Sequence, residues 1–203
     1  MASRSGNVVQ AATAAINNAE ILSDQGSWST AIDLCESALR NYEAVGYSAG
    51  IAAANLFAGV AAMRNGELES ADGRLATARP QLQALGMADM LTELDSRELE
   101  LRVKTGTATI ADCVGLAERV AGDDVMVSRV LRAKAIIELR SGIDPEPTLL
   151  EALRLTPSTG FERALALHAL ATMVPDSPRA PKWRDEADHT FQALGVHTPP
   201  PVL

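Results

Sequence analysis

The side chains that could do chemistry are few, and their spacing joins none of them into a site. Three histidines (His168, His189 and His197) and two cysteines (Cys35 and Cys113) are spread along the chain. No H-x-x-x-H, H-E-x-x-H or C-x-x-C occurs, so neither a metal-binding helix face nor a dithiol pair is expected. His168 lies in an apolar helical stretch and reads as a packed imidazole rather than a base. Asp123-Asp124 could hold a metal-bound diphosphate only with a third carboxylate, but Val125, Met126, Val127 and Ser128 follow. The pair reads instead as a helix N-cap. No G-x-x-x-x-G-K-[ST] loop and no G-x-G-x-x-G turn is present, so a nucleotide has no phosphate cradle. The expectation is a protein that is not an enzyme, with no cofactor and no metal.

The elements that position everything else are punctuated by glycine. Gly26, Gly66 and Gly106 fall 40 residues apart, and Gly46 and Gly86 repeat the step with an offset of 20. Each closes a stretch with helical apolar spacing. A period in this range is the signature of stacked helix pairs. After Gly26 comes SWSTAIDLCESALRNYEAVG, and after Gly66 comes ELESADGRLATARPQLQALG. Ala31 aligns with Ala71, Ala38 with Ala78, and Tyr42 with Leu82. The third unit keeps Ala111 but ends early at Gly122, and Gly142 arrives 36 residues after Gly106. Further helices are expected over 8–23, 48–64, 88–104, 125–140 and about 160–173. Met126, Val130, Ala133 and Ile137 share one helix face. Asp144-Pro145 and a Thr159-x-x-Glu162 capping box mark helix starts. Pro80 lies within a helix expected over 68–85, where it removes one backbone hydrogen bond. A last helix is expected over 181–194. The whole reads as all-α, with about ten helices in five antiparallel pairs. Residues 1–7 are expected to be disordered, 8–196 to form one repeat domain, and 197–203 to be a frayed proline-rich tail.

Bulk composition narrows the function classes. The chain has 203 residues, 47% hydrophobic content and only 3% aromatic residues, so its core must be built from small aliphatic contacts. A net charge of −8 argues against nucleic-acid phosphates as the partner. No charge lies between Glu43 and Arg64, but Gly46, Ser48, Gly50, Asn55 and Gly59 make that stretch a poor membrane span. The N-terminal MASRSGNVVQ has no apolar signal core, and the distant cysteines read as buried reduced thiols; the expected location is cytoplasmic.

The glycine, the alanine five residues later and the alanine seven further on resemble the tetratricopeptide repeat. Gly26, Ala31 and Ala38 match that pattern, as do Gly66, Ala71 and Ala78, and Gly59 matches its small residue in the first helix. The third unit matches at Gly106 and Ala111 only. The period exceeds the family's usual length of about 34 residues. Lengthened repeats of this kind resemble the C-terminal regions of bacterial multidomain regulators, including ATPase-coupled transcription activators, cyclases and kinases. The resemblance implies an α-solenoid with a right-handed superhelix, and a concave groove lined by the first helix of each pair. By the glycine register the groove positions are Ile16, Glu20 and Asp24, then Leu56, Val60, Met63 and Arg64, then Glu93, Ser96, Glu100 and Lys104, then Arg129, Arg132 and Arg140. Ile16 and Glu20 stand where a carboxylate-clamping array carries lysine and asparagine, so that clamp is not expected.

An apolar strip between an acidic and an arginine-bearing end suits a peptide or an amphipathic helix. The resemblance therefore implies a non-catalytic scaffold for a protein or peptide partner, with no nucleic acid and no membrane. The alternative is an effector-sensing regulatory domain of a bacterial signalling or transcription regulator, which binds a small molecule and acts on neighbouring domains. On the scaffold reading, charge reversal at Arg129 and Arg132 is expected to weaken binding and to leave thermal stability nearly unchanged.

Overall fold

A computed structural model describes residues 2–202, with side chains from Gly6 onward. Among the described residues there are ten helices and no strand: α1 (Ala2–Asp24), α2 (Trp28–Val45), α3 (Ser48–Arg64), α4 (Leu68–Ala84), α5 (Ala88–Lys104), α6 (Ile110–Arg119), α7 (Asp124–Arg140), α8 (Glu146–Leu155), α9 (Phe161–Met173) and α10 (Ala180–Ala193). The protein is all-α. α1 already begins at Ala2, inside the segment expected to be disordered, and Met1 and Leu203 lie outside the described residues. Among the described residues no helix is long and apolar enough to cross a membrane.

The glycines end helices as their spacing requires. Gly26, Gly46, Gly66, Gly86, Gly106 and Gly142 all have positive φ. At Gly66 the φ is +85°. Its amide donates to the Met63 carbonyl at 3.2 Å, and the next amide, Glu67, donates to Ala62 at 2.9 Å. This left-handed closure satisfies carbonyls that the last helical turn leaves unpaired.

The chain divides into two compact units, Met1–Leu94 and Asp95–Leu203. In unit 1, α1 packs on α2, α2 on α3, α3 on α4, and α1 also reaches α3. Its core joins Ala12, Ile16 and Ala19 of α1 to Ala31, Cys35, Ala38 and Tyr42 of α2 and to Ala54, Ala58 and Ala61 of α3. The buried residues of α4 are Ala71, Leu75, Ala78 and Leu82, the same four positions as in α2 one period later. Small residues here set how closely helices approach: a Cβ on Gly50 would lie 2.5 Å from the Tyr42 ring.

In unit 2, α6 packs on α7, α7 on α8 and α9, α8 on α9, and α9 on α10. One core cluster joins Leu99 and Val103 to Cys113, Leu116 and Val120 and to Met126, Val130 and Ala133. A second joins Ala135 and Leu149 to the buried faces of α9 and α10, including Leu167, Leu170, Trp183 and Phe191.

Three local expectations are corrected. Ala111 is exposed, and Cys113 takes the buried place. α4 starts two residues after its glycine, but α6 starts four after Gly106, because Thr109 and Asp112 form a capping box that fixes the first turn there. Thr159 and Glu162 form no capping box; Gly160 occupies the N-cap with no side-chain hydrogen bond. The tail is docked rather than frayed: Val196 and Val202 pack against the second core cluster of unit 2.

Candidate functional site

The densest polar arrangement lies in unit 2, on α5, α7 and α9. Helical spacing places Ser96 or Arg97, Glu100 and Lys104 along one face of α5, and Arg129, Arg132 and Arg140 along one face of α7. Glu162 stands in the first turn of α9, where the helix N-terminus favours a negative charge. Its Oε1 accepts from Arg129 Nη2 at 3.1 Å and its Oε2 from Arg132 Nη2 at 2.6 Å. Arg129 Nη1 also donates to Ser96 Oγ at 3.1 Å. Arg97 donates to Glu100 at 2.9 Å. At the far end, Lys104 Nζ donates to the Pro201 carbonyl at 3.3 Å, and Arg140 donates to the Val103 carbonyl.

The side chains of Arg129, Arg132 and Glu162 are 9%, 11% and 19% exposed. Burial by itself raises a carboxyl pKa. At Glu162 the charges of Arg132, Arg129 and Arg97, with the hydrogen bond from Arg132, outweigh burial and hold the group well below the usual carboxylate range. Glu100 is likewise lowered, with burial opposed by Arg97, Arg129 and Arg132. Lys104 is lowered, by burial first and by Arg140 second, against the pull of Glu100.

The structure thus brings together Ser96, Glu100, Arg129 and Arg132, with Arg97 and Glu162 as members that the glycine register does not supply. Arg97 sits inside the acidic run of α5 and reads there as a surface charge. In the sequence Glu162 reads as a capping residue, and no sequence signal pairs it with α7.

Other expected groove residues are placed differently. Leu56, Val60 and Met63 are 0%, 6% and 3% exposed and belong to packed interior, not to an apolar surface strip. α3 is buried almost all round, which its lack of any polar face already signals. Ile16 is core. Arg64 donates to Asp24 at 2.6 Å and to Ser23 Oγ at 2.9 Å, closing the end of α3 onto the end of α1. Glu20 and Arg140 are exposed, and Glu93 is half-buried. With Arg129 and Arg132 held by Glu162, charge reversal there strikes packing as well as any partner, so stability cannot be expected to stay unchanged.

A cleft of about 340 Å³ lies between α5 and α6, lined by Asp95, Glu98, Arg102, Asp112 and Arg119 among others. Its charges pair across it: Arg102 with Asp112 at 2.9 Å, and Arg119 with Asp95 at 3.2 Å. Hydrogen bonds from the Thr109 hydroxyl and amide bring the Asp112 carboxyl down to about 2.

Of the remaining reactive groups, Cys35 and Cys113 are buried and His168 is half-buried, whereas His189 and His197 are exposed. Burial pushes the Cys35 thiol up to about 12 and the Cys113 thiol up to about 11, which disfavours the nucleophilic thiolate. His168 is lowered by burial and lies edge-on to Phe191 at 5.8 Å. Among the described residues no group of three or more histidine, cysteine or acidic side chains could hold a metal ion. Set against family models, curated proteins and solved structures, this all-α chain matches none.

Proposed function

We propose that the protein is a non-catalytic, tetratricopeptide-like helical module, and that the α5–α7–α9 face of unit 2 binds an acidic segment of a protein or peptide partner. The observation that carries this reading is charge. In a chain of net charge −8, one face gathers five basic side chains (Arg97, Lys104, Arg129, Arg132 and Arg140) against two acidic ones (Glu100 and Glu162). A local field opposite to that of the whole surface selects a ligand of opposite charge. The repeat reading is supported by the shared buried positions of α2 and α4, and by the contacts α1–α3 and α7–α9 between alternate helices. Glu162, Glu100 and Ser96 already hold the guanidinium groups in place, so binding need not order those arginines.

The test uses the full-length protein and a labelled glutamate-rich peptide, followed by fluorescence anisotropy. Arg140 and Lys104 are the residues to reverse, because neither is part of the Glu162 cluster. Arg140→Glu and Lys104→Glu should each weaken binding by about tenfold, with the loss shrinking at high salt. Reversed variants that bind the peptide like wild type would overturn the reading.

A further inference from the structure

The segment after α10 lies on unit 2 as a ligand would. Val196 and Val202 pack against the cluster that contains Phe191 and Leu167, and Phe161 borders the same cluster. The Phe161 and Phe191 rings meet edge-on at 6.2 Å. Between the two valines, Pro199 and Pro200 are half-buried, and the Pro201 carbonyl accepts from Lys104 Nζ at 3.3 Å. Consecutive prolines have no amide hydrogen to satisfy and favour an extended polyproline conformation, so they lose little entropy on docking. What such a segment needs from a surface is an apolar seat beside aromatic rings and a donor for an exposed carbonyl. Unit 2 supplies both.

We propose that residues 196–202 are a tethered ligand, seated on a docking surface of unit 2 for an extended proline-rich segment with an aliphatic residue, and that a free segment of this chemistry competes with them. The inference rests on reading the Lys104 end of α5 as part of a binding face. Its mechanism is intramolecular competition. A short tether keeps the tail at an effective concentration on the order of millimolar, so the face is mostly occupied until the tail is released.

The experiment uses full-length protein and a labelled peptide of residues 196–202, VHTPPPV. Val202→Asp removes the apolar anchor at the far end of the tail, leaving Val196, and alters no helix. It should bind the peptide at least about tenfold more tightly than wild type, since competition is relieved. Adding Lys104→Ala to that variant should abolish the gain. A second full-length variant with Pro199, Pro200 and Pro201 changed to glycine should shift affinity the same way, which guards against a folding defect particular to Val202→Asp. Variants that melt like wild type and bind the peptide no better than wild type would overturn the proposal. If the glutamate-rich peptide still binds while VHTPPPV does not, the tethered-ligand inference alone fails. If neither binds any of these proteins, the binding-face reading fails with it.

Discussion

Glu162 is the residue whose removal tests most of the reasoning. Glu162→Gln keeps the shape and one hydrogen-bond acceptor but deletes the charge that spans Arg129 and Arg132, at 3.1 and 2.6 Å. Removing one partner of a fully buried ion pair costs about 3–5 kcal/mol, whereas exposed pairs contribute about 0–1. The three side chains are 9–19% exposed, near the buried limit but still in contact with solvent. The expected loss is therefore roughly 2–4 kcal/mol, drawn from the strain of two guanidinium groups left near Arg97. Urea unfolding of full-length wild type and variant at pH 7, read by circular dichroism, measures it. A loss below about 1 kcal/mol would show that the cluster is solvated and that Glu162 is not its centre.

The pH dependence gives a second check. The folded-state pKa of Glu162 is lowered relative to the unfolded glutamate value of about 4.3. Its contribution is thus fully present above the unfolded value and is lost as pH falls toward the folded one. The stability gap between wild type and Glu162→Gln should be constant from pH 7 to about 5, then narrow as the solution is acidified below about pH 4. A gap that stays constant down to pH 2 would refute the assignment of the shift to Glu162.

Four further substitutions probe the helices. Gly66→Val puts a β-branched residue at φ +85° and should cost about 1–2 kcal/mol; an unchanged melting temperature would mean that the backbone there is not left-handed. Gly50→Ala should destabilise by about 1–3 kcal/mol, because the new Cβ would lie 2.5 Å from the Tyr42 ring. Gly73→Ala, on α4 with nothing within 4 Å of its Cβ, should instead stabilise by about 0.5–1 kcal/mol, and equal effects at the two glycines would contradict the packing. Pro80→Ala restores an amide for the Ala76 carbonyl inside α4 and should raise stability by about 2 kcal/mol in urea unfolding; a decrease would show that the proline is accommodated without cost.

Helix content was legible because its signals are local. Glycines at fixed spacing and apolar residues at helical intervals place α3 at Ser48–Arg64 and α5 at Ala88–Lys104, as read from the residues alone. The alignment of Ala31, Ala38 and Tyr42 with Ala71, Ala78 and Leu82 marks positions that are buried in both helices. The register of α6 was misread because a capping box two residues further along outweighed the glycine that preceded it. Which face of α3 is exposed could not be read from a register. The helix has almost no exposed face, and a groove template assigns surface to Leu56, Val60 and Met63 where packing leaves none.

The candidate site was half legible, for a reason that also locates its charge. Arg129 and Arg132 lie on the expected helix face, but their partner Glu162 comes from a different helix, at a position where a local capping role explained it equally well. The single carboxylate of Glu162 offsets one of those two arginine charges, and Glu100 offsets that of Arg97. Lys104 and Arg140 differ. The hydrogen-bond acceptors they engage are neutral backbone carbonyls, Pro201 and Val103, and each is the last residue of its helix. A cation there complements the helix dipole, and its hydrogen bond to a carbonyl cancels none of its charge. Most of the positive excess of the face therefore resides at the C-terminal ends of α5 and α7, although five basic residues define it. One of those two cations holds the proline-rich tail. A partner that reads charge and a tail that covers it meet at the same ammonium group, so Lys104 is the residue through which the two proposals are coupled.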